Sequence, residues 1–122
     1  MPMIVLDSNV FIYLANGTLD RKIISNVDIS HASITKIESL GFPRIHANEL
    51  LLLEILFTES YNLPLTDDIV ERAVKLRQIK NMSLGDAVIA ATALEHSYEL
   101  WTANEEDFAH IDGLRLHNPL KH

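Results

Sequence analysis

Apolar residues recur along this chain in two patterns, one with the period of a β-strand and one with the period of an α-helix. Short apolar or alternating runs predict strands over residues 3–6, 27–32, 61–65, 99–102 and 115–117. Apolar residues three and four positions apart predict helices over about residues 10–16, 19–25, 35–40, 45–58, 67–80 and 84–96. Strands that alternate with helices predict an α/β fold with a mainly parallel sheet.

The length of 122 residues suits one domain with its own hydrophobic core, so we expect a single domain over residues 1–122. The chain has no cysteine, which excludes disulfides and thiolate metal sites and suits a reducing cytosol. Met1-Pro2-Met3 leads into the first strand without the basic segment of a signal peptide. The longest apolar stretch, Leu50 to Phe57, contains Glu54 and is too short to cross a bilayer. We therefore expect a cytoplasmic protein.

Two of the predicted helices have unusual surfaces. The helix over 45–58 is apolar almost all round, which in so small a domain predicts a dimer or partner surface. The helix over 67–80 holds four of the ten basic residues, Arg72, Lys75, Arg77 and Lys80. A solvated helix face is the simpler explanation of this run, and a phosphate-facing or partner-facing patch is the alternative. The net charge of −7 argues against a general nucleic-acid coat protein but does not exclude a nuclease.

Acidic residues follow strands or begin helices at four places in this prediction: Asp7, Glu38, Asp86 and Asp107. Because the carboxyl ends of parallel strands meet at one edge of a sheet, we expect these side chains to converge there. Carboxylates that lie close together repel one another, and such a cluster persists mainly when a cation binds it. Oxygen ligands select hard divalent ions such as Mg²⁺ and Mn²⁺. The leading hypothesis is a metal-dependent site for phosphoryl transfer.

Helix capping explains most of the same residues without a site. Three pairs have the spacing of a capping box: Thr35 with Glu38, Ser83 with Asp86, and Thr102 with Glu105. Asp7 is placed to cap the helix that follows it. Capping accounts for each residue singly, whereas a shared site accounts for the position of all of them at strand ends or helix starts.

The acidic residues lie within recognisable motifs. These are VLDSNVFIYL over residues 5–14, ITKIESLG over 34–41, SLGDAVIAATA over 83–93, and LWTANEEDF over 100–108 followed by IDGLRL over 111–116. In order and spacing they resemble the motifs of PIN-domain ribonucleases, most closely those of the toxins of VapBC toxin–antitoxin pairs. The resemblance implies a three-layer α/β/α sandwich with a mainly parallel central sheet of four or five strands.

The resemblance also implies an activity, a Mg²⁺- or Mn²⁺-dependent endoribonuclease that leaves a 5′-phosphate and a 3′-hydroxyl. It assigns Asp7, Glu38 and Asp86 as ligands for one or two ions. Many members have an aspartate where this chain has Asn104, so Asp107 is the candidate for the fourth acid and Asn104 a neutral contributor. Short polar side chains are candidates for orienting waters or ligands, with capping as their alternative role: Ser8, Asn9, Thr35 and Thr102.

The partners that the resemblance implies are an RNA and a protein. Transfer, ribosomal and messenger RNA are substrates of different family members. A VapB-like antitoxin is expected to cover the groove near the helices over 45–58 and 67–80, with a basic side chain entering the acidic pocket. The resemblance further implies a homodimer.

Other protein classes share parts of this pattern. A catalytically silent scaffold of the same fold, the main alternative, would be expected to have lost a core acid, and all three are present. A receiver domain needs an aspartate after its third strand and a late lysine, which residues 61–65 and the loop after Thr102 do not supply. A haloacid-dehalogenase-type phosphatase needs Asp-x-Asp, where this chain has Asn9. The six histidines lack the spacing of a zinc site.

Overall fold

The computed structural model describes residues 1–121 and contains a five-stranded sheet. The strands are β1 (Met3–Leu6), β2 (Asp28–Ala32), β3 (Tyr61–Leu63), β4 (Glu99–Trp101) and β5 (Leu116–His117). The helices are α1 (Ser8–Ala15), α2 (Ser33–Leu40), α3 (Ala47–Glu59), α4 (Asp67–Ile79) and α5 (Leu84–His96), with 3₁₀ turns at Arg21–Ile24 and Glu105–Asp107. All the strand pairs are parallel, in the order β3-β2-β1-β4-β5. The predicted α/β fold is confirmed.

Side chains that alternate along the strands fill a core on each face of the sheet. On one face, Val5 and Leu100 pack with α4 and α5. On the other face, Ile4, Leu6 and Trp101 pack with α1 and α3. Two cores separated by one sheet make the three layers of an α/β/α sandwich.

The strand order changes direction next to β1. The chain proceeds outward from β1 to β2 and β3, and then returns to the other side of β1 with β4 and β5. In open parallel sheets, a change of this kind leaves a crevice outside the carboxyl ends of the two strands that flank it. Here those strands are β1 and β4, which identifies the edge of the sheet where a site is expected.

The sequence prediction is wrong at the start of α2. The helix begins at Ser33 with Ala32 as its N-cap residue, so Thr35 and Glu38 lie inside it and form no capping box. The start is hidden because β2 runs directly into α2 without a turn residue between them. Two smaller corrections concern lengths. The helix predicted over 19–25 is the 3₁₀ turn Arg21–Ile24, and the third strand ends at Leu63 instead of Leu65.

The apolar helix α3 is only partly covered, as predicted. It buries Leu53, Leu56 and Phe57, while Leu51 is 58% exposed and Ile55 is 41% exposed. The dimer or partner expected on this surface stays a prediction. Within residues 1–121, no helix has both the length and the apolar character needed to cross a membrane.

Candidate active site

Asp7 lies at the carboxyl end of β1, where the chain turns into α1. Its Oδ1 accepts a hydrogen bond from the Val10 N–H at 3.0 Å, so the predicted cap is confirmed. The N–H of Asp7 donates to the carbonyl of Trp101 at 3.1 Å, which ties this position to the end of β4. The residue is only 5% exposed. Asp7 is therefore held rigidly at the mouth of the crevice between the two strands.

Asp86 reaches the same region from the first turn of α5. The hydroxyl of Ser83 accepts a hydrogen bond from the Asp86 N–H at 3.1 Å, which confirms Ser83 as the N-cap. The helix lies close to the sheet because the side chains between them are small: Ala87, Ala90, Ala91 and Ala93 are all 0% exposed. Close packing of α5 thus brings its N-terminus, and Asp86 with it, to the strand ends.

Glu38 approaches from α2 and lies between the first turns of α1 and α5. Its Oε1 accepts a hydrogen bond from the Ser8 hydroxyl at 2.8 Å. A Cβ atom at position 85 would lie 2.5 Å from Glu38 Oε2, which is closer than such atoms can approach. Gly85 is therefore what leaves room for the carboxylate of Glu38 in its present position.

The loop after β4 forms a tight polar turn. The N–H of Thr102 donates to the carbonyl of His117 at 3.0 Å, and the Thr102 hydroxyl accepts from the N–H of Asn104 at 3.0 Å. This arrangement replaces the capping box predicted for Thr102 and Glu105, because Asn104 is the N-cap of the following 3₁₀ turn and forms no side-chain cap. The side chain of Asn104 is exposed.

Asp107 closes this end of the site. It lies on the 3₁₀ turn Glu105–Asp107 and lines a cavity of about 170 Å³ together with Asp86. The cavity is also lined by Lys80, Ser83 and Glu106.

The charges of neighbouring carboxylates affect the pKa values of Asp86 and Asp7. Burial raises the pKa of Asp86, and the charges of Asp107 and Glu38 raise it further. Burial likewise raises the pKa of Asp7, with an added contribution from the charge of Asp86, although hydrogen bonds such as that from Thr102 act in the opposite direction. Like charges that hinder one another's ionisation are the expected electrostatics of carboxylates that bind a cation.

A family model described as the PIN domain matches residues 4–114, which is most of the chain. The chain belongs to the PIN domain family. Its match includes all four acids that the structure brings together. No curated protein matches the chain significantly.

Solved structures similar to this PIN domain come from toxin–antitoxin complexes. A chain of a toxin–antitoxin complex from Klebsiella pneumoniae is 29% identical with a TM-score of 0.79, over 95% of this chain and 97% of that one. A chain of VapBC-5 from Mycobacterium tuberculosis is 26% identical with a TM-score of 0.69, over 96% and 97%. A chain of DNA-bound VapBC from Salmonella typhimurium, at 19% identity, shares the fold, with a TM-score of 0.80 over 98% and 99%. The predicted resemblance to the toxins of VapBC pairs is confirmed by these similarities in sequence and fold.

The side chains of this PIN domain provide the right donors for a hard divalent ion, since all four candidates are carboxylates. Among the described residues, no three acidic or histidine side chains form a group that could hold a metal ion as they lie. Glu38 is engaged with Ser8, and both Glu38 and Asp107 are exposed. Exposed carboxylates change rotamer without disturbing a core, so the donor set fits a cation that gathers them around the two more buried aspartates.

The supporting residues predicted from the sequence divide into two groups. The Ser8 hydroxyl donates to Glu38 at 2.8 Å, and hydrogen bonds from Thr102 and from the backbone of Asn9 act to lower the pKa of Asp7. In contrast, Thr35 is fully buried inside α2, and its hydroxyl has no hydrogen-bond partner in the part of the chain that the structure describes.

Two residues near the acids were missed by the sequence analysis, Gly85 and Glu106. Gly85 directly precedes Asp86 in the third motif, so a signal was present there. Lys80 was named in the basic run with two explanations left open, because nothing in the local sequence indicates that the chain leaves α4 beside the acids.

Proposed function

We propose that this PIN domain is a Mg²⁺- or Mn²⁺-dependent endoribonuclease and the toxin of a type II toxin–antitoxin pair. The observation that carries the proposal is the geometry around Asp86. Glu38 lies against Gly85, the residue before Asp86, and Asp107 lines the same cavity as Asp86, while Asp7 lies at the ends of β1 and β4. Carboxylates that lie near one another repel, so a cation and an anionic substrate are the natural ligands of this crevice.

The roles follow from how each carboxylate is held. Asp7, Glu38 and Asp86 would hold one or two divalent ions, with Asp107 as a further ligand from the cavity. When bound, such an ion lowers the pKa of a coordinated water and stabilises negative charge on a phosphate. The cap on α1 orients Asp7, and the Ser8 hydroxyl orients Glu38. Hydrogen bonds that lower the pKa of Asp7 favour its ionised form, which is the form that binds metal.

A VapB-like antitoxin and a second copy of the chain are the proposed protein partners. The support is that the similar structures from Klebsiella pneumoniae and Mycobacterium tuberculosis are toxin–antitoxin complexes. Exposed apolar side chains provide surfaces for such partners on α3 and along the groove of α4 and α5: Leu51, Leu52 and Ile55 on the first, and Leu65, Val70, Val74 and Leu84 on the second.

The proposed activity is tested by incubating a structured RNA pool with the purified protein and Mn²⁺, in parallel with EDTA and with Asp7→Asn. We expect cleavage with Mn²⁺, none with EDTA, and a loss of more than about 100-fold in the variant, since changes that merely disturb a ligand's support cost about 10- to 100-fold. Asparagine still accepts the cap bond from Val10, so the variant should keep its fold, which circular dichroism would check. Undiminished cleavage by Asp7→Asn would refute the site.

The alternative function is a catalytically silent PIN-fold scaffold. One observation favours it, namely that no three acids among residues 1–121 already form a metal-binding group. A scaffold predicts no RNA cleavage and no rise in melting temperature with millimolar Mg²⁺ or Mn²⁺. The nuclease predicts both, because an ion that binds only the folded state stabilises it.

A further inference from the structure

A lysine lies in the cavity beside the acids. Lys80 lines the same cavity of about 170 Å³ as Asp86 and Asp107, and its side chain is exposed. The other charged residue of this lining, Glu106, is acidic. The positively charged side chain of Lys80 therefore lies at the rim of a site whose other charged residues are acidic.

The position of Lys80 is set by the way α4 ends. Its backbone is extended, with φ −151° and ψ 147°, so the chain leaves the helix at this residue. Its N–H still donates to the carbonyl of Leu76 at 3.3 Å. Met82, which follows Lys80 and is buried, accepts a hydrogen bond at its carbonyl from Nε of Arg77 at 3.2 Å. The turn that carries Lys80 is thus anchored at both ends.

The charge of Lys80 is not used by the protein itself. In residues 1–121 Lys80 forms no salt bridge, whereas Arg72 on the same helix pairs with Glu95. The charges that act on Asp86 are those of other carboxylates. The ammonium group is therefore available to an anion that enters the cavity from solvent.

We infer that Lys80 binds a backbone phosphate of the RNA next to the linkage that is cleaved. This inference rests on the proposed function. A chain with a net charge of −7 and an acidic site repels a polyanion, so binding requires local positive charge. A lysine supplies a point charge on a flexible stem, which suits a phosphate without selecting a base. The contact positions the strand and carries no sequence preference.

The test measures binding of a fluorescent, mixed-sequence, single-stranded RNA with Mg²⁺ at several KCl concentrations, in an Asp7→Asn background that prevents cleavage. Lys80→Ala should weaken binding about two- to five-fold, the range of an exposed ion pair. It should also lower the slope of log affinity against log salt by about 0.7, the value for one phosphate contact to a single strand. Lys80→Arg should keep both the affinity and the salt slope of the protein that has Lys80. The matched control is Lys75→Ala, which removes the same charge from an exposed position on α4 outside the cavity and should leave the slope unchanged.

A second readout uses the cleaving protein, in which Lys80→Ala should raise KM and leave kcat unchanged. If wild-type protein cleaves RNA but Lys80→Ala matches it in affinity, salt slope and KM, the inference about Lys80 is wrong and the nuclease stands. If the variant alters only the rise in melting temperature with Mg²⁺, Lys80 acts on the carboxylates and the inference is also wrong. If wild-type protein neither binds nor cleaves RNA, both proposals fail.

Discussion

Two buried titratable side chains lie at neighbouring strands of the sheet but in different surroundings: His31 within β2, and Asp7 directly after β1. His31 in β2 is 2% exposed and lies between aromatic rings, 5.9 Å from Phe11 and 4.9 Å from Phe57 between centroids, both edge-on. Its Nδ1 is 2.7 Å from the Ser60 hydroxyl. Burial lowers the pKa of His31 to about 4, so the ring is neutral and behaves as a core residue. Asp7, 5% exposed, instead faces the charge of another carboxylate.

The comparison shows that burial alone does not indicate a site. His31 is neutral, because burial lowers its pKa, and its ring packs against Phe11 and Phe57 in the core. At Asp7 burial raises the pKa and the charge of Asp86 raises it further, whereas hydrogen bonds from Thr102 and Val10 act in the opposite direction. The proposed cation site would account for these opposing effects on the ionisation of Asp7. The predictions below test this difference between His31 and the acids around Asp7, in order of decreasing expected effect.

Asp86→Asn should reduce metal-dependent cleavage on the order of 1,000-fold, above the range of about 10- to 100-fold seen when only the support of a ligand is lost. Without divalent ions at neutral pH it should raise the melting temperature. The pKa of Asp86 is raised in the folded state, so its ionisation opposes folding, and the gain should vanish at low pH where the wild-type residue is protonated. Glu71→Gln, an exposed change of the same charge on α4, is the control. A variant that melts lower than the wild type without metal would contradict the repulsion.

Acidification should destabilise the protein through His31. Well above pH 6.5 neither the folded nor the unfolded state binds a proton at this residue. As the pH falls from about 6.5 towards 4, only the unfolded chain takes up a proton, so the free energy of unfolding decreases, by on the order of 3 kcal/mol in total. Urea unfolding from pH 7 to pH 4 measures this slope. His31→Leu, which removes the titrating ring, should flatten it, and an unchanged slope would show that His31 is not the source.

Gly85→Ala should reduce cleavage about ten-fold, in the range for residues that support a ligand. The added Cβ would lie 2.5 Å from Glu38 Oε2 and displace that carboxylate. The melting temperature should change little, because the displaced atoms are the end of a flexible, exposed side chain and alanine favours helix. Measuring the same change in a Glu38→Gln background completes a double-mutant cycle. If the two losses simply multiply, Gly85 does not act through Glu38.

The sequence alone was sufficient for the order and type of most elements. Apolar periodicity located β1, α4 and α5 to within a residue or two, since each begins or ends at a turn or capping residue such as Thr66 or Ser83. At α2 it placed the start two residues late and predicted a capping box that does not form, because a strand continues directly into the helix and no turn residue marks the change. It also left the role of Asp7 open between cap and ligand; the structure confirms the cap, and the ligand role stays a prediction.

The sequence by itself determined that Asp7 follows a strand and that Asp86 lies in the first turn of a helix, because periodicity and capping are local properties of the chain. It did not determine the place of Glu38, which lies inside α2. Only the tertiary structure decided which of them meet. Glu38 contacts Ser8 from 30 positions away, and it fits there because Gly85 on a third element has no side chain. Lys80 joins the cavity because α4 ends beside α5. Such contacts depend on how whole helices pack against one sheet, which no local pattern records.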